Sequence, residues 1–386
     1  MRRVAELDAV RGVAAIFIVM MHLGLVRDTI WCLGLVDLFF VVSGYLVTAN
    51  VLKGSHTPGF FGNFFARRCL RIWPAYYLAL VACLVVNRYL PWDHRPRAWL
   101  HYLTFTQNIP YYLGRPMPAF SGMFVHTWTM AIEEQFCLFW PFLVYLAGRK
   151  RLVPVSLIFV VVPLVLRALG LVPFLLLTRC DGLALGALLA SLTSDADRFR
   201  SRVATHRLAY LLLGLAALYG PAWAAWFPAG EGPRWNLLVD SLSKTRVITT
   251  YFALIGLTFC VSGEPRLGVL RSRALCYVGR ISYSLYLFHP LVFASMPRLY
   301  QRFVVNRMGI HSTLLMNVML MGLCFLIADL CRRYVEEPFL ALKGRFRGEA
   351  TSDRFVVRAD PGGLSQPTRP PGFVSALAQA ERRAGG

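Results

Sequence analysis

The chain has 386 residues, of which 56% are hydrophobic and 16% charged, and its mean hydropathy is +0.52. A soluble domain carries roughly 25% charged residues, so this composition excludes an ordinary water-soluble globule. Lys and Arg number 41 against 20 Asp and Glu, which gives a net charge of +21. Because the basic residues lie between apolar segments, they indicate the cytoplasmic loops of a membrane protein rather than a nucleic-acid-binding domain.

Apolar segments long enough to cross a bilayer, about 20 residues each, recur along the chain. We therefore predict an all-α integral membrane protein of about ten transmembrane helices. The predicted spans are 10–31, 34–52, 74–91, 126–147, 152–169, 173–192, 208–227, 247–263, 281–297 and 312–332. The first span follows Met1-Arg2-Arg3, as in a signal peptide, but it contains Arg11 and His22, so we predict that it is not cleaved.

The distribution of charge predicts the orientation and the domains. With the N-terminus inside, 28 of the 41 Lys and Arg residues lie on the cytoplasmic side, so both termini are predicted to be cytoplasmic. The largest outward loops are 92–125 and 228–246. Residues 1–345 are predicted to form the transmembrane domain, and 346–386, rich in Gly, Pro, Ala and Arg, a disordered basic cytoplasmic tail.

The nine Cys residues show no Cys-x-x-Cys and no metal-ligand spacing, so we predict neither disulfides nor a metal site.

Two ionisable residues share one face of the first predicted helix. Arg11 and His22 are eleven residues apart, about 20° from three full turns and about 16 Å along the axis. A cation at the cytoplasmic edge with an imidazole near mid-membrane suits a substrate that has an anionic head and a reactive end. The alternative is a helix-end arginine that extends to the interface and a histidine bonded to a neighbouring helix.

The next two segments carry an acid and a basic cluster. Asp37 opens the second helix and could orient His22, while Gly44, two turns on, permits close helix approach. Arg67 and Arg71 share a face at i, i+4, and Pro74 fits the start of the next helix. Arginine pairs suit phosphate, although a basic loop also follows from topology alone.

Two later segments combine acids, histidines and hydroxyl groups. His126, Met130 and Glu133 share a helical stripe, and the pair Glu133-Glu134 could accept a proton or bind a sugar hydroxyl. Ser282, Tyr286 and His289 share one face, which could serve either packing or a site. Between these segments, 179–182 predicts a local charge pair of Arg179 with Asp181 that has a structural role.

Taken in order, these residues closely resemble the motifs of the acyltransferase 3 family, whose members acylate polysaccharides, lipopolysaccharide O-antigens, Nod factors and some macrolides. Each match is weak alone, and seven in family order over roughly 5–345 are specific. The matched motifs are Arg-x10-His at 11–22, G-V-D-L-F-F-V-I-S-G-F-L at 35–46, R-R-x-x-R-I-x-P at 67–74, W-S-L-x-x-E-x-x-F-Y at 128–137, R-x-D-G-x-x-x-G at 179–186, I-S-Y-S-L-Y-L-x-H at 281–289 and E-x-P-F at 336–339. Departures include Thr129-Met130 for Ser-Leu and Cys137 for Tyr.

The resemblance implies transfer of an acyl group, usually acetyl, from cytoplasmic acyl-CoA to a hydroxyl of a glycan, a lipid-linked glycan or a macrolide. No permanently bound cofactor is expected, and the expected location is the bacterial inner membrane. Because no hydrolase-like domain is appended, we expect the chain to act alone. The expected roles are catalytic for His22, Asp37 and Glu133, CoA-binding for Arg11, Arg67, Arg68 and Arg71, and substrate-binding for Trp128, Glu134, Ser282, Tyr286 and His289.

The residues allow three alternatives in mechanism, activity and fold. His22 could act as a general base or carry the acyl group itself. A transporter or flippase of glycan or lipid intermediates would also need polar residues near mid-membrane, although inverted repeats are missing and the cationic pocket lies on one side only. A different class of membrane acyltransferase, built around its own intramembrane histidine, would keep the chemistry and change the fold.

Overall fold

A computed structural model of the chain describes residues 4–27, 29, 34–89, 98–113, 123–171, 174–195, 199, 201–218, 232–301, 305 and 312–346. Within these ranges all regular structure is helical. The long helices are α1 (Ala5–His22), α2 (Leu35–Gly54), α3 (Phe60–Tyr89), α4 (Trp128–Ala168), α5 (Asp181–Thr193), α6 (Val203–Leu218), α7 (Pro233–Cys260), α8 (Arg273–Tyr300) and α9 (Thr313–Cys331). A π-helical turn, Arg332–Glu336, follows α9 and leads into two short helices, Glu337–Ala341 and Leu342–Phe346.

In the part of the chain that the structure describes, four stretches of helix are long and apolar enough to cross a membrane: Leu35–Gly54, Phe60–Asn87, Val125–Ala168 and Thr313–Phe346. Large apolar side chains on their outer faces are exposed, among them Leu146 at 77% and Leu138 at 67%. Surface of this kind needs lipid rather than water around it. The all-helical membrane character is therefore as predicted, while the ten spans and the cytoplasmic termini stay predictions.

Several predicted boundaries are wrong. The first helix ends at His22 instead of continuing to residue 31, so His22 lies at a helix end. The helix predicted at 74–91 begins at Phe60, with Pro74 in its interior. Proline is tolerated there because burial of the surrounding apolar face outweighs one missing hydrogen bond, and the Tyr283 hydroxyl donates to the nearby carbonyl of Ile72 at 2.8 Å.

The predicted break between the spans 126–147 and 152–169 is present in the structure, whereas the predicted loop 228–246 is not. α4 covers two predicted spans, 126–147 and 152–169, and its backbone breaks at Gly148, which has φ 64° and ψ 171°. The left-handed φ favours glycine there. The predicted outward loop 228–246 is largely helical, because α7 begins at Pro233. Most of the predicted tail 346–386 lies outside the described residues.

Glycines bring two pairs of helices into backbone contact. A Cβ atom on Gly186 of α5 would lie 2.0 Å from the carbonyl oxygen of Val41 in α2. A Cβ on Gly44 of α2 would lie 1.9 Å from the carbonyl oxygen of Leu183. This confirms the predicted close approach at Gly44. In the same way α1 packs on α8, where a Cβ on Gly279 would meet the carbonyl of Asp8 at 1.9 Å.

Candidate active site

A cavity of about 310 Å³, here called the donor cavity, lies between α2, α3, α4 and α8. All four predicted CoA-binding residues line it: Arg11, Arg67, Arg68 and Arg71. Much of the remaining wall is apolar and comes from residues such as Phe39, Phe40, Val42, Phe64 and Met130. A mostly apolar cavity with a few placed charges suits a ligand that has one anionic part and one apolar part.

The arginines of the donor cavity differ in their partners. Arg68 is paired with Glu134, since Nη2 lies 3.0 Å from Oε1, and Trp73 Nε1 also donates to this carboxylate at 3.4 Å. Arg67 donates to the main-chain oxygen of Asn63 at 3.1 Å. Within the described ranges Arg71 forms no hydrogen bond or ion pair. Cations that face a cavity without a counter-charge attract an anionic ligand.

Arg11 is held at the cavity by α8. Its Nη2 donates to Ser282 Oγ at 3.3 Å, and that hydroxyl in turn donates to the carbonyl of Gly279 at 2.9 Å. The guanidinium carbon also lies 5.9 Å from the ring centroid of Phe39. Ser282, expected to bind substrate, is buried and accepts this hydrogen bond, so it positions Arg11, while its contact with substrate stays a prediction. The close packing of α1 on α8 at Gly279 makes this contact possible.

The two neighbouring acids of α4 point to different partners. Glu133 lines the donor cavity together with Ser43, and the charges of Arg68 and Arg11 act on its carboxylate. Glu134, expected to bind substrate, is instead the partner of Arg68. A carboxylate inside an apolar cavity can accept a proton or hold a hydroxyl or amide of the ligand.

Thr129, one helical turn before Glu133 on α4, and Tyr286 of α8 both line the donor cavity. The Tyr286 hydroxyl donates to the carbonyl of His126 at 2.9 Å and is hydrogen-bonded to Thr129 Oγ1 at 2.9 Å. Behind it, the imidazole of His126 lies 5.0 Å from the Tyr286 ring and 5.4 Å from that of His289, between centroids. Aromatic rings therefore continue from the cavity toward His289.

His22, at the end of α1, meets His289 with 4.8 Å between ring centroids. Nδ1 of His22 lies 2.8 Å from the carbonyl oxygen of Ile18. Because a carbonyl only accepts, Nδ1 carries the proton and the lone pair of Nε2 is available to take a proton or an acyl group. His289 is buried and donates from Nδ1 to the carbonyl of Tyr286 at 2.8 Å.

The predicted shared face of Arg11 and His22 is present, since both contact α8, Arg11 at Ser282 and His22 at His289. His22 itself does not line the donor cavity and is exposed. In the described part of the chain, no group of three or more His, Cys, Asp and Glu residues is placed to hold a metal ion. The imidazoles of His22, His289 and His126 meet edge to face.

Comparison with known proteins gives the family. Residues 4–332 match the profile of the acyltransferase-domain family to which the motifs pointed. The chain belongs to the acyltransferase 3 family. A protein of Staphylococcus aureus named "Putative O-acetyltransferase" is 25% identical over 378 residues, which cover 88% of this chain and 58% of the relative. A "Putative peptidoglycan O-acetyltransferase" of Bacillus subtilis is 27% identical over 376 residues, which cover 87% and 55%.

The chain spans little more than half the length of the curated relatives described above. No solved structure matches it.

Asp37, expected to orient His22, has another partner. Its Oδ2 lies 3.0 Å from Arg179 Nη2 in a buried ion pair. The predicted local pair within 179–182 is also wrong, because Asp181 pairs with Arg167 at 2.8 Å. Each acid thus connects to a cation elsewhere in the chain, which sequence spacing cannot show. These two family motifs hold α2, α4 and α5 together.

Trp128, expected to bind substrate, is half-buried among side chains of the protein. Its ring lies 5.0 Å from Phe174 and 6.5 Å from Phe40, and the guanidinium carbon of Arg179 lies 5.7 Å from its centroid. Trp128 does not line the donor cavity. It contacts the cation of the Asp37–Arg179 pair, and its contact with substrate stays a prediction.

Sequence reasoning missed some residues of the donor cavity. Lys343 lines it from the short helix Leu342–Phe346, and Ser43 lines it from α2. Ser43 is part of a family motif, so its position could have been noticed. Lys343 gave little signal except that it closely follows the Glu336-Glu337-Pro338-Phe339 motif.

Proposed function

We propose that this chain is a membrane-bound O-acyltransferase that moves an acetyl group from cytoplasmic acetyl-CoA to a hydroxyl of a cell-surface glycan in a bacterial inner membrane. The supporting observation is the donor cavity, in which Arg67 and Arg71 lack carboxylate partners among the described residues and Glu133 and Tyr286 lie further along the wall. Family membership and the names of the relatives support O-acetyl transfer, and the name of the Bacillus relative suggests a peptidoglycan hydroxyl.

The proposed donor fits the cavity by charge and by shape. The phosphates of acetyl-CoA would be neutralised by Arg11, Arg67 and Arg71, whose planar guanidinium groups suit phosphate oxygens. The thiol arm would lie along the apolar wall past Glu133 toward Tyr286. Arg11 and His22 are about 16 Å apart along α1, so an extended donor can have its phosphates at one residue and its thioester near the other.

We propose His22 as the general base. Its Nε2 takes the proton of the acceptor hydroxyl as the oxygen attacks the thioester carbonyl, which forms the new C–O bond. The C–S bond then breaks, and CoA leaves as a thiolate that receives the proton and becomes the free thiol. Each turnover thus gives one acetyl ester and one CoA thiol.

The test uses the full chain in nanodiscs with labelled acetyl-CoA and peptidoglycan fragments. Label transferred to the glycan and released CoA thiol are measured together, so transfer is distinguished from hydrolysis. We expect His22→Ala to lower kcat by roughly 100- to 10,000-fold, the usual contribution of a general base. His56→Ala is the matched control, because His56 contacts Tyr145 and lies outside the cavity.

Retention of the wild-type elution volume and melting temperature by His22→Ala shows that the fold is intact. A folded His22→Ala protein with undiminished transfer contradicts the role of His22. Failure of the wild-type chain to release CoA with any glycan hydroxyl contradicts the proposed activity.

A further inference from the structure

A second cavity, of about 440 Å³, lies beside the donor cavity and is here called the basal cavity. It is formed by the start of α1, the start of α8, Arg71 of α3 and the segment that follows α9. Arg11, Arg71 and Lys343 line both cavities. Because the two cavities share these three cations, one elongated ligand can occupy both.

The basal cavity is strongly cationic. Five basic residues line it, against two acids: the bases are Arg11, Arg71, Arg280, Arg332 and Lys343, and the acids are Asp8 and Glu336. Fewer apolar groups face it than face the donor cavity. Such an excess of cations around a concave site concentrates anions there.

The partners of these groups show which cations are available. Arg332 is paired with Glu337, with Nη2 2.6 Å from Oε1, and the Ser284 hydroxyl donates to Glu336. Arg280 contacts the ring of Tyr277, with its guanidinium carbon 5.9 Å from the centroid. Within the described ranges, neither Arg280 nor Lys343 forms a hydrogen bond or an ion pair.

We infer that the basal cavity binds the phosphate groups at the nucleotide end of the acyl-CoA donor, through Arg280 and Lys343 together with Arg71. This inference rests on the proposed function. The thiol arm lies in the donor cavity and the phosphorylated adenosine in the basal cavity, and Arg71 lies between the two. Arginine and lysine are the side chains that bind phosphate most strongly, by charge-assisted hydrogen bonds.

The same chemistry could hold the phosphate of a lipid headgroup, so the test separates the two sources. The wild-type chain is placed in nanodiscs of phosphatidylcholine alone, and CoA binding is measured by calorimetry. Adenosine 3′,5′-bisphosphate and adenosine are then added as competitors. In a parallel arm the discs contain phosphatidylglycerol instead. A nucleotide site predicts competition by the bisphosphate, none by adenosine, and the same fold-loss of CoA affinity in Arg280→Gln in both lipids.

Arg280→Gln and Lys343→Gln test the two new residues, and Arg273→Gln is the matched control. Arg273 is also exposed at the start of α8, and it lies outside both cavities. We expect each cavity variant to raise the Kd for CoA about tenfold, which is about 1.4 kcal/mol. Transfer from the acetyl thioester of N-acetylcysteamine, which has no phosphate, should be unchanged in Arg280→Gln and in Arg273→Gln, because neither residue lines the donor cavity.

The outcomes separate this inference from the proposed function. Weakened CoA binding with intact transfer from the short thioester supports the basal cavity as the nucleotide site. Unchanged CoA binding in both variants, with an active wild-type enzyme, overturns the cavity assignment alone. An effect of Arg280→Gln on CoA affinity that appears only in phosphatidylglycerol discs identifies a lipid site and also overturns it. A wild-type chain that neither binds CoA nor transfers acetyl overturns both.

Discussion

Asp37 and Arg179 form a buried ion pair in which Oδ2 lies 3.0 Å from Nη2, with residue exposures of 2% and 8%. The pair joins the start of α2 to the residue two positions before α5. Arg167 and Asp181 form a second buried pair, 2.8 Å apart, and Arg167 also donates to Thr245 Oγ1 at 2.9 Å. Charges buried in this way stabilise a fold only while both partners are present.

We therefore predict that Asp37→Asn destabilises the fold and does not act on the chemical step. Loss of one partner leaves the charge of Arg179 buried without compensation, which should lower the free energy of unfolding by about 3–5 kcal/mol. The melting temperature in detergent should fall sharply, as measured by size-exclusion fluorescence after heating. Asp37→Leu combined with Arg179→Met should recover much of this loss, because it removes both charges.

A different result would assign Asp37 to catalysis. If Asp37→Asn keeps the wild-type melting temperature and CoA affinity but loses turnover, Asp37 takes part in catalysis. The earlier expectation that Asp37 acts on His22 would then be right in function although the two residues have different partners.

Local sequence patterns predicted the features that depend on helical spacing. Residue spacing within single helices predicted three features of the structure. These are the common face of Arg11 and His22, the close approach at Gly44, and the cluster of Arg67, Arg68 and Arg71. Apolar composition was enough to predict an all-helical membrane protein. These are short-range properties, so the sequence contains them.

Tertiary contacts between distant residues could not be predicted in the same way. Asp37 and Arg179 are 142 positions apart, and Arg68 and Glu134 are 66 apart. Each charge had several possible partners, and helix packing decides between them. Predicted helix boundaries were wrong where tertiary packing outweighed a local sequence signal. Pro74, for example, was predicted to start a helix and lies inside α3.

The glycine contact between α2 and α5 leads to a second prediction. A methyl group on Gly186 would lie 2.0 Å from the carbonyl oxygen of Val41 and 2.6 Å from the backbone nitrogen of Tyr45. Backbone atoms cannot move aside as a flexible side chain can. Gly186→Ala should therefore lower the free energy of unfolding by about 1–3 kcal/mol. Thermal unfolding in detergent measures the loss.

Gly322→Ala is the matched control for this prediction. Gly322 lies inside α9, and nothing lies within 4 Å of the position its Cβ would take. Alanine should stabilise that helix by up to about 1 kcal/mol. Equal melting temperatures for the two variants would show that α2 and α5 are not in backbone contact.

The neighbouring acids Glu133 and Glu134 should give opposite kinetic signatures. Glu133 lies in the donor cavity beside Ser43, so Glu133→Gln keeps a hydrogen-bonding group and removes a proton acceptor. We expect kcat to fall roughly 100-fold with the Kd for CoA unchanged or lower. Glu134→Gln removes the counter-charge of Arg68 and frees its guanidinium for phosphate, so the Kd for CoA should fall about tenfold, or about 1.4 kcal/mol, with a smaller change in kcat.

Calorimetry with CoA and steady-state kinetics on both variants make the comparison. A larger effect of Glu133→Gln on binding than on turnover would place Glu133 among the donor-binding groups. Identical profiles for the two variants would mean that the pair acts as one charged unit, contrary to their separate partners in the structure.

His289 is the nearest described ring to His22 and should position it. The two centroids are 4.8 Å apart, and His289 is itself fixed by donation from Nδ1 to the carbonyl of Tyr286 at 2.8 Å. His289→Phe keeps a ring of similar shape but removes this anchor, so the His22 imidazole should sample more orientations. We expect kcat to fall roughly tenfold, a loss of about 1.4 kcal/mol in the transition state, while the Kd for CoA stays unchanged.

His289→Asn can restore the donor to Tyr286 and should recover part of kcat. If His289→Phe loses as much activity as His22→Ala while still folded, His289 has a direct part in the chemistry rather than a positioning role.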